Sequence, residues 1–356
     1  MDWKDIEPFY LPNYTDVEMD NEFWYLKKAS LGDYKGEQTE STFGSRHVGN
    51  ICSNQYFAKW RARCKGDGAK GDFLTYANKV GIDSWKSHIN QDTPASYFTS
   101  ASLRSNRASQ FKPRIASILT SIFKATRVVD PCAGWGDRCI GVMAKGIDYI
   151  GIDSNVELKD AYAQMSKRFN LTPTMLFQPA ETVDFTELPV YDMILTSPPY
   201  FTLERYNGMP AYDGYNGWVD TFLKPVIQRA WASLKQEGWM CLNVPSNTTK
   251  SSKWGIYESI VAFMGLPHRI YRMNLQNGTT IGDNNEGIYC WHKGDTPAPA
   301  TITIPSIKPK PAPIESGKVD SNDQLRDQIK GMLYKVWLSD NTDDLKMMRH
   351  MLWKME

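Results

Sequence analysis

Between Phe111 and His292 short apolar runs alternate with amphipathic stretches, and the two periods involved, about 2 and about 3.6 residues, predict strands and helices in turn. The predicted strands are Arg127–Asp130, Tyr149–Ile152, Thr174–Phe177, Asp192–Thr196, Trp239–Val244, Arg269–Asn274 and Gly287–Trp291. Helices are predicted over Asp137–Lys145, Val156–Phe169, Trp218–Gln236 and Trp254–Met264. A further helix starts at Phe111-Lys112-Pro113, where Ile115, Ile118, Leu119 and Ile122 keep helical spacing and Pro113 suits a first turn. Strand-helix-strand alternation predicts an α/β fold with a doubly wound, mostly parallel sheet covered on both faces.

The flanks read differently. Residues 1–95 are irregular and aromatic, an accessory region with a basic stretch at Lys59, Arg61, Arg63, Lys65 and Lys70. Such a run is a solvated face, the preferred reading, or a nucleic-acid contact. Residues 96–295 form the predicted core, and residues 296–320, with prolines at 297, 299, 305, 309, 311 and 313, an extended linker. Residues 321–356 predict a terminal helical hairpin. Its stripe (Leu325, Ile329, Met332, Leu333, Val336 and Trp337, then Leu345, Met348 and Leu352) packs on its own protein, the preferred reading, or meets a protein partner or second copy.

Composition narrows the classes. A chain of 356 residues, 41% hydrophobic and 23% charged, can bury a core and is no disordered segment. The net charge of +1 means that a nucleic-acid partner needs a local basic patch. Six cysteines without a CxxC pair, and a start without a cationic apolar signal, lead to the expectation of a reduced, cytoplasmic protein. No apolar run approaches the ~20 residues that span a bilayer. The five histidines lack metal-ligand spacing, so no metal is expected.

The first core strand runs through Asp130 into Pro131-Cys132-Ala133-Gly134-Trp135-Gly136 and then a helix. Two glycines there let the backbone pass close to a ligand. A dinucleotide fingerprint needs a third glycine where this chain has Cys139, which disfavours a pyrophosphate cofactor. The second strand ends at Asp153, 153 − 130 = 23 residues on, near the ~20-residue offset at which a carboxylate meets a ribose. Asp153 either serves an adenosine ligand or caps the following helix.

In these residues the chain resembles the class I S-adenosylmethionine-dependent methyltransferases, over roughly Phe111 to Lys293. The resemblance implies a Rossmann-like, seven-stranded sheet of order 3-2-1-4-5-7-6 with the last strand antiparallel. It also implies that the loop Asp130, Cys132, Ala133, Gly134 and Gly136 wraps the methionine part of the cofactor, with Cys132 as lining. Asp153 would bind the ribose, Ala180 and Glu181 would lie by the adenine, and Phe111, Lys112 and Pro113 would contact the methionine end.

The fourth strand runs into Ser197-Pro198-Pro199-Tyr200. Two prolines remove two donors and fix φ twice, so the neighbouring carbonyls leave the ladder, either to meet a ligand or merely to end the strand. The tetrapeptide resembles the (Asp/Asn/Ser)-Pro-Pro-(Tyr/Phe) motif of DNA adenine-N6 and cytosine-N4 methyltransferases. That resemblance implies a target amine accepted by Ser197 and the Pro198 carbonyl, and a flipped base stacked on Tyr200. Serine points to cytosine and the motif order to adenine, so both bases stay open. Specificity is expected in residues 1–95, the loop Phe201–Gly217 or the C-terminal hairpin. An RNA or protein-amide methyltransferase and a catalytically silent binding scaffold are the alternatives; a bacterial, phage or mobile-element modification enzyme is the leading reading.

Overall fold

The computed structural model describes residues 2–7, 11–30, 34–36, 40–43, 48–66, 73–80, 110–201, 204–205, 209–245, 254–273 and 287–294. All lie in the compact unit Met1–Ile304. The predicted linker and hairpin, and the second unit Pro305–Glu356, fall outside the described residues.

The core strands are β1 (Arg127–Asp130), β2 (Asp148–Ile152), β3 (Thr174–Leu176), β4 (Met193–Thr196), β5 (Gly238–Val244), β6 (Arg269–Met273) and β7 (Gly287–Lys293). β1 pairs in parallel with β2 and β4, β2 with β3, and β4 with β5, while β7 runs antiparallel between β5 and β6. The order is 3-2-1-4-5-7-6, as the resemblance implied. β4 is buried at every position and β5 at all but one. A parallel sheet with helices on both faces requires such unbroken apolar runs.

The sheet is wider than seven strands. Tyr34–Gly36 and Glu40–Phe43 pair antiparallel, and the second lies parallel to β6, with Ile270 opposite Glu40 and Met273 opposite Phe43, so the sheet has nine strands. The added pair covers the edge that β6 would otherwise leave open.

The irregular N-terminal pattern also contains two helices of 13 residues, α1 (Asp16–Lys28) and α2 (Asn50–Ala62). Thr15 and Glu18 form a capping box at α1, which buries Met19, Phe23 and Leu26 along one stripe. α2 packs against α1 and the core helices α4 (Asp137–Met143) and α5 (Lys159–Phe169). The rings of Phe57 and Tyr162 meet edge-on there, 4.8 Å apart. At Arg61 and Arg63 this packing corrects the expectation of a solvated basic face, while Lys70 lies outside the described residues. Arg61 is 4% exposed, donates to Asn54 and faces Asp137, while Arg63 pairs with Glu7 at 3.3 Å.

Helix α3 (Pro113–Ile122) has Pro113 at its start and crosses α4 so closely that a Cβ on Gly141 would stand 2.2 Å from the Pro113 carbonyl. The predicted helix Trp218–Gln236 is interrupted: Gly214–Trp218 passes through a π-helical turn, Val219–Leu223, into α6 (Lys224–Ser233). Pro225 explains the shift, since it lacks an N–H and its ring crowds the carbonyl four residues before it. Val156–Leu158 is likewise a tight 3-10 turn leading into α5. Helix α7 (Ile256–Met264) meets β7 where the Tyr257 and Tyr289 rings stack 3.9 Å apart. Among the described residues no helix is long and apolar enough to cross a membrane, and all six cysteines are free thiols.

Candidate active site

The ends of β1, β2, β4 and β5 open onto one hollow, at the carboxyl edge where doubly wound sheets bind ligands. Phe111, Lys112, Cys132, Ala133, Gly134 and Asp153 line one side. Ala180 and Glu181 line the rim beyond β3, and Ser197, Pro198, Pro199 and Tyr200 line the other side. These residues come from five separate elements, so the hollow gathers nearly all the positions that the sequence singled out.

Three of those positions do not line it. Pro113 is buried in the α3–α4 crossing, and Gly136 turns with φ +75° where a Cβ would stand 2.6 Å from the Phe57 ring. Asp130, expected to wrap the cofactor, has no exposed surface. It accepts hydrogen bonds from Arg138 Nε (2.7 Å), Tyr149 Oη (2.7 Å) and the Cys132 amide (3.2 Å). Burial works against the Arg138 charge, and Asp130 more than offsets it, so the guanidinium stays protonated. Arg138 also donates to the Cys132 carbonyl. Asp130 is therefore the internal counter-ion that holds the glycine loop in shape from beneath.

Asp153 does reach the hollow. Its Oδ2 accepts from the Gly134 amide at 2.8 Å and its Oδ1 from the Asn155 amide at 2.9 Å. The capping role falls instead to Asn155, which accepts from Glu157 at 3.1 Å at the head of the 3-10 turn. Burial raises the Asp153 pKa to about 6, and the two amides pull it back. Tyr162 Oη closes the arrangement by donating to the Gly134 carbonyl at 3.1 Å. Gly134 itself turns with φ +61°, in the left-handed region.

The sequence missed a third carboxylate. Asp137 lines the hollow while 3% exposed, and it accepts from Ser53 Oγ on α2 and from Gln110 Nε2 at 2.7 Å. Burial lifts its pKa to about 6 and lowers that of the facing Arg61 to about 10. Nothing local in the sequence connects Ser53 with Asp137, 84 residues apart. Asn243 was missed too, although a polar residue inside the run Met240-Cys241-Leu242-Asn243-Val244 was a usable signal.

On the other side, fully buried β4 delivers Ser197, and Ser197 Oγ lies 3.2 Å from Tyr200 Oη. Tyr200, 5% exposed, donates to the Asn243 carbonyl at 3.4 Å. Phe201 then adopts φ +52°, a costly conformation for a residue with a Cβ. Its ring is caged by Tyr215, Trp218 and Trp254 at 5.7, 5.9 and 5.1 Å, and that packing holds the turn. Cys132 bridges the two sides, its amide donating to Thr196 Oγ1 at 3.2 Å. Burial pushes its thiol well up, which suits lining and not a nucleophile. No cluster of metal-ligating side chains occurs among the described residues.

A family model described as DNA methylase matches residues 191–348. Type II methyltransferase M.MjaVI of Methanocaldococcus jannaschii is 33% identical over 73 residues, which cover 20% of this chain and 36% of that relative. Among solved structures, TrmN from Thermus thermophilus superposes with a TM-score of 0.37 at 16% identity, covering 57% of this chain and 54% of that one. The SAM-dependent O-methyltransferase from Thermotoga maritima superposes with 0.37 at 14% identity, covering 54% and 69%.

The cofactor of the DNA methylase family is S-adenosylmethionine, and the hollow fits it. The Asp153 carboxylate suits a ribose diol, and the turn at Gly134 lets backbone approach the ligand. With a sheet wound in the order of class I methyltransferases, the chain has the class I methyltransferase fold, and residues 191–348, which begin just before β4 and include Ser-Pro-Pro-Tyr, match the DNA methylase family model.

Proposed function

We propose that this protein is a DNA methyltransferase that modifies the exocyclic amino group of adenine (N6) or cytosine (N4). One observation carries the reading: Ser197–Tyr200 opens onto the same hollow as Gly134 and Asp153, so an amine acceptor and a nucleoside site face one space.

The residue types match the difficulty of the reaction. An aromatic amine delocalises its lone pair into the ring and is a poor nucleophile. Ser197 Oγ and the Pro198 carbonyl accept its two N–H bonds, which draws the nitrogen toward tetrahedral geometry and localises the pair. When bound, S-adenosylmethionine would supply the methyl group from its sulfonium, the C–S electron pair staying with sulfur as the N–C bond forms. The surplus N–H proton is acidic and leaves to Ser197 or water, so no strong base is needed. The Tyr200 ring, lining the hollow, stacks on the base once it leaves the duplex. Asp153, Gly134, Ala133 and Cys132, with Phe111, Lys112, Ala180 and Glu181, hold the cofactor, and Asp130 supports their loop.

Two of the expected specificity elements meet. Lys65–Gly66 pairs antiparallel with Glu204–Arg205 of the loop after the motif. Target recognition is assigned to that junction and its flanks. The test expresses the protein in cells free of amino-methylation and analyses digested DNA by nucleoside mass spectrometry. N6-methyladenine or N4-methylcytosine is the expected product, and finding neither overturns the reading.

A further inference from the structure

We propose that the Tyr200 hydroxyl is a positioning group that holds Ser197 Oγ as a hydrogen-bond acceptor toward the target amine, an inference that rests on the function proposed above and deepens it. A carboxylate at the first motif position presents oxygens with no proton to place. A serine hydroxyl carries one, and if that proton turns toward the amine, donor meets donor and the nitrogen is not activated. The chain therefore needs somewhere to send it.

A row of oxygens provides the direction. Ser197 Oγ lies 3.2 Å from Tyr200 Oη, and Tyr200 Oη donates to the Asn243 carbonyl at 3.4 Å. A carbonyl only accepts, so the phenol proton is committed to Asn243 and the phenol lone pairs face Ser197. Ser197 then donates to Tyr200 and keeps its own lone pairs for the amine. The far end of the row is firm. Asn243 is 3% exposed at the end of β5, with Nδ2 donating to the Gly287 carbonyl of β7 at 3.2 Å. With Tyr200 5% and Asn243 3% exposed, water does not compete strongly for the phenol and the carbonyl that it meets. Tyrosine is thus required here for its hydroxyl as well as its ring, because the first position is a serine.

The test compares four proteins: wild type, Tyr200→Phe, Ser197→Asp and the double variant. The readout is methyl transfer from labelled S-adenosylmethionine to DNA, with kcat and KM resolved and S-adenosylhomocysteine affinity measured by calorimetry. In the serine background Tyr200→Phe is expected to lower kcat about tenfold, one hydrogen bond's worth, with KM for DNA and cofactor affinity unchanged. In the aspartate background the same substitution is expected to cost less than about twofold, because no hydroxyl proton remains to be directed. If circular dichroism shows that Ser197→Asp does not fold, Ser197→Ala replaces it and gives the same expectation. A Tyr200→Phe loss of equal size in both backgrounds, or none in the serine background, overturns the inference. Absence of transfer to DNA by the wild type strikes the proposed function instead.

Discussion

The two sides of the hollow are held by different forces. On the glycine-loop side, each buried carboxylate has its own partner: Asp130 the Arg138 charge beneath the loop, Asp137 the facing Arg61 across to α2, and Asp153 two neutral backbone amides. On the target side, a short row of neutral hydroxyl bonds and an aromatic cage around Phe201 position Ser197 and Tyr200. Removing one partner of a buried charge pair leaves the other uncompensated, whereas losing one neutral hydroxyl costs little in folding. The glycine-loop side is therefore part of the fold's stability, and the target side can change its chemistry without threatening it.

Asp130→Ala should produce the largest effect. It strands Arg138 and Tyr149 in the core, with an expected loss of about 3–5 kcal/mol in urea unfolding. A loss below about 1 kcal/mol breaks the contrast, since Asp130 would then be no more structural than Ser197. Next comes Ser197→Ala, expected to lower kcat by about a hundredfold while the unfolding midpoint and cofactor affinity hold. A fall in stability instead would place Ser197 on the structural side.

For Asp153→Ala the expected result is about tenfold weaker cofactor binding by calorimetry, with the fold retained, because a charge-assisted bond to a ligand is lost without stranding a counter-ion. Unchanged affinity would return Asp153 to holding the Gly134 and Asn155 amides and nothing more.

The smallest and most diagnostic effect is with pH. Burial lifts Asp153 from its ordinary 3.8 to about 6, so its contribution to stability is full below the lower value and is lost as pH rises through the higher. Ligand binding has the opposite sign, because a ribose diol needs the ionised acceptor. Cofactor affinity should be flat above about pH 7 and fall by up to about tenfold per unit below about pH 6. Asp153→Asn should flatten that slope. A slope that survives the substitution would transfer the titration to Asp137, whose pKa burial also raises to about 6.

The alternation from Arg127 to His292 and the Ser197–Tyr200 tetrapeptide were legible because each is a local pattern: period, turn chemistry and proline stereochemistry act over a few residues. The fate of the basic stretch was not. Whether Arg61 faces water or Asp137 depends on α2 docking beside α4 and α5, a contact between segments that share no local signal. Asp130 and Asp153 were both expected at the ligand, yet Arg138 turns back onto Asp130 and leaves Asp153 facing the hollow.

Residue order alone thus determined most of the core strands and helices between residues 127 and 292 and the tetrapeptide at the end of β4, because backbone preferences and side-chain alternation are short-range. Tertiary packing decided which acid is a counter-ion and which faces the hollow, how α2 reaches Asp137, and that Ser197 meets Tyr200. Those outcomes depend on burial and on partners tens of residues away, and an ionisable or hydroxyl group takes its role from what surrounds it.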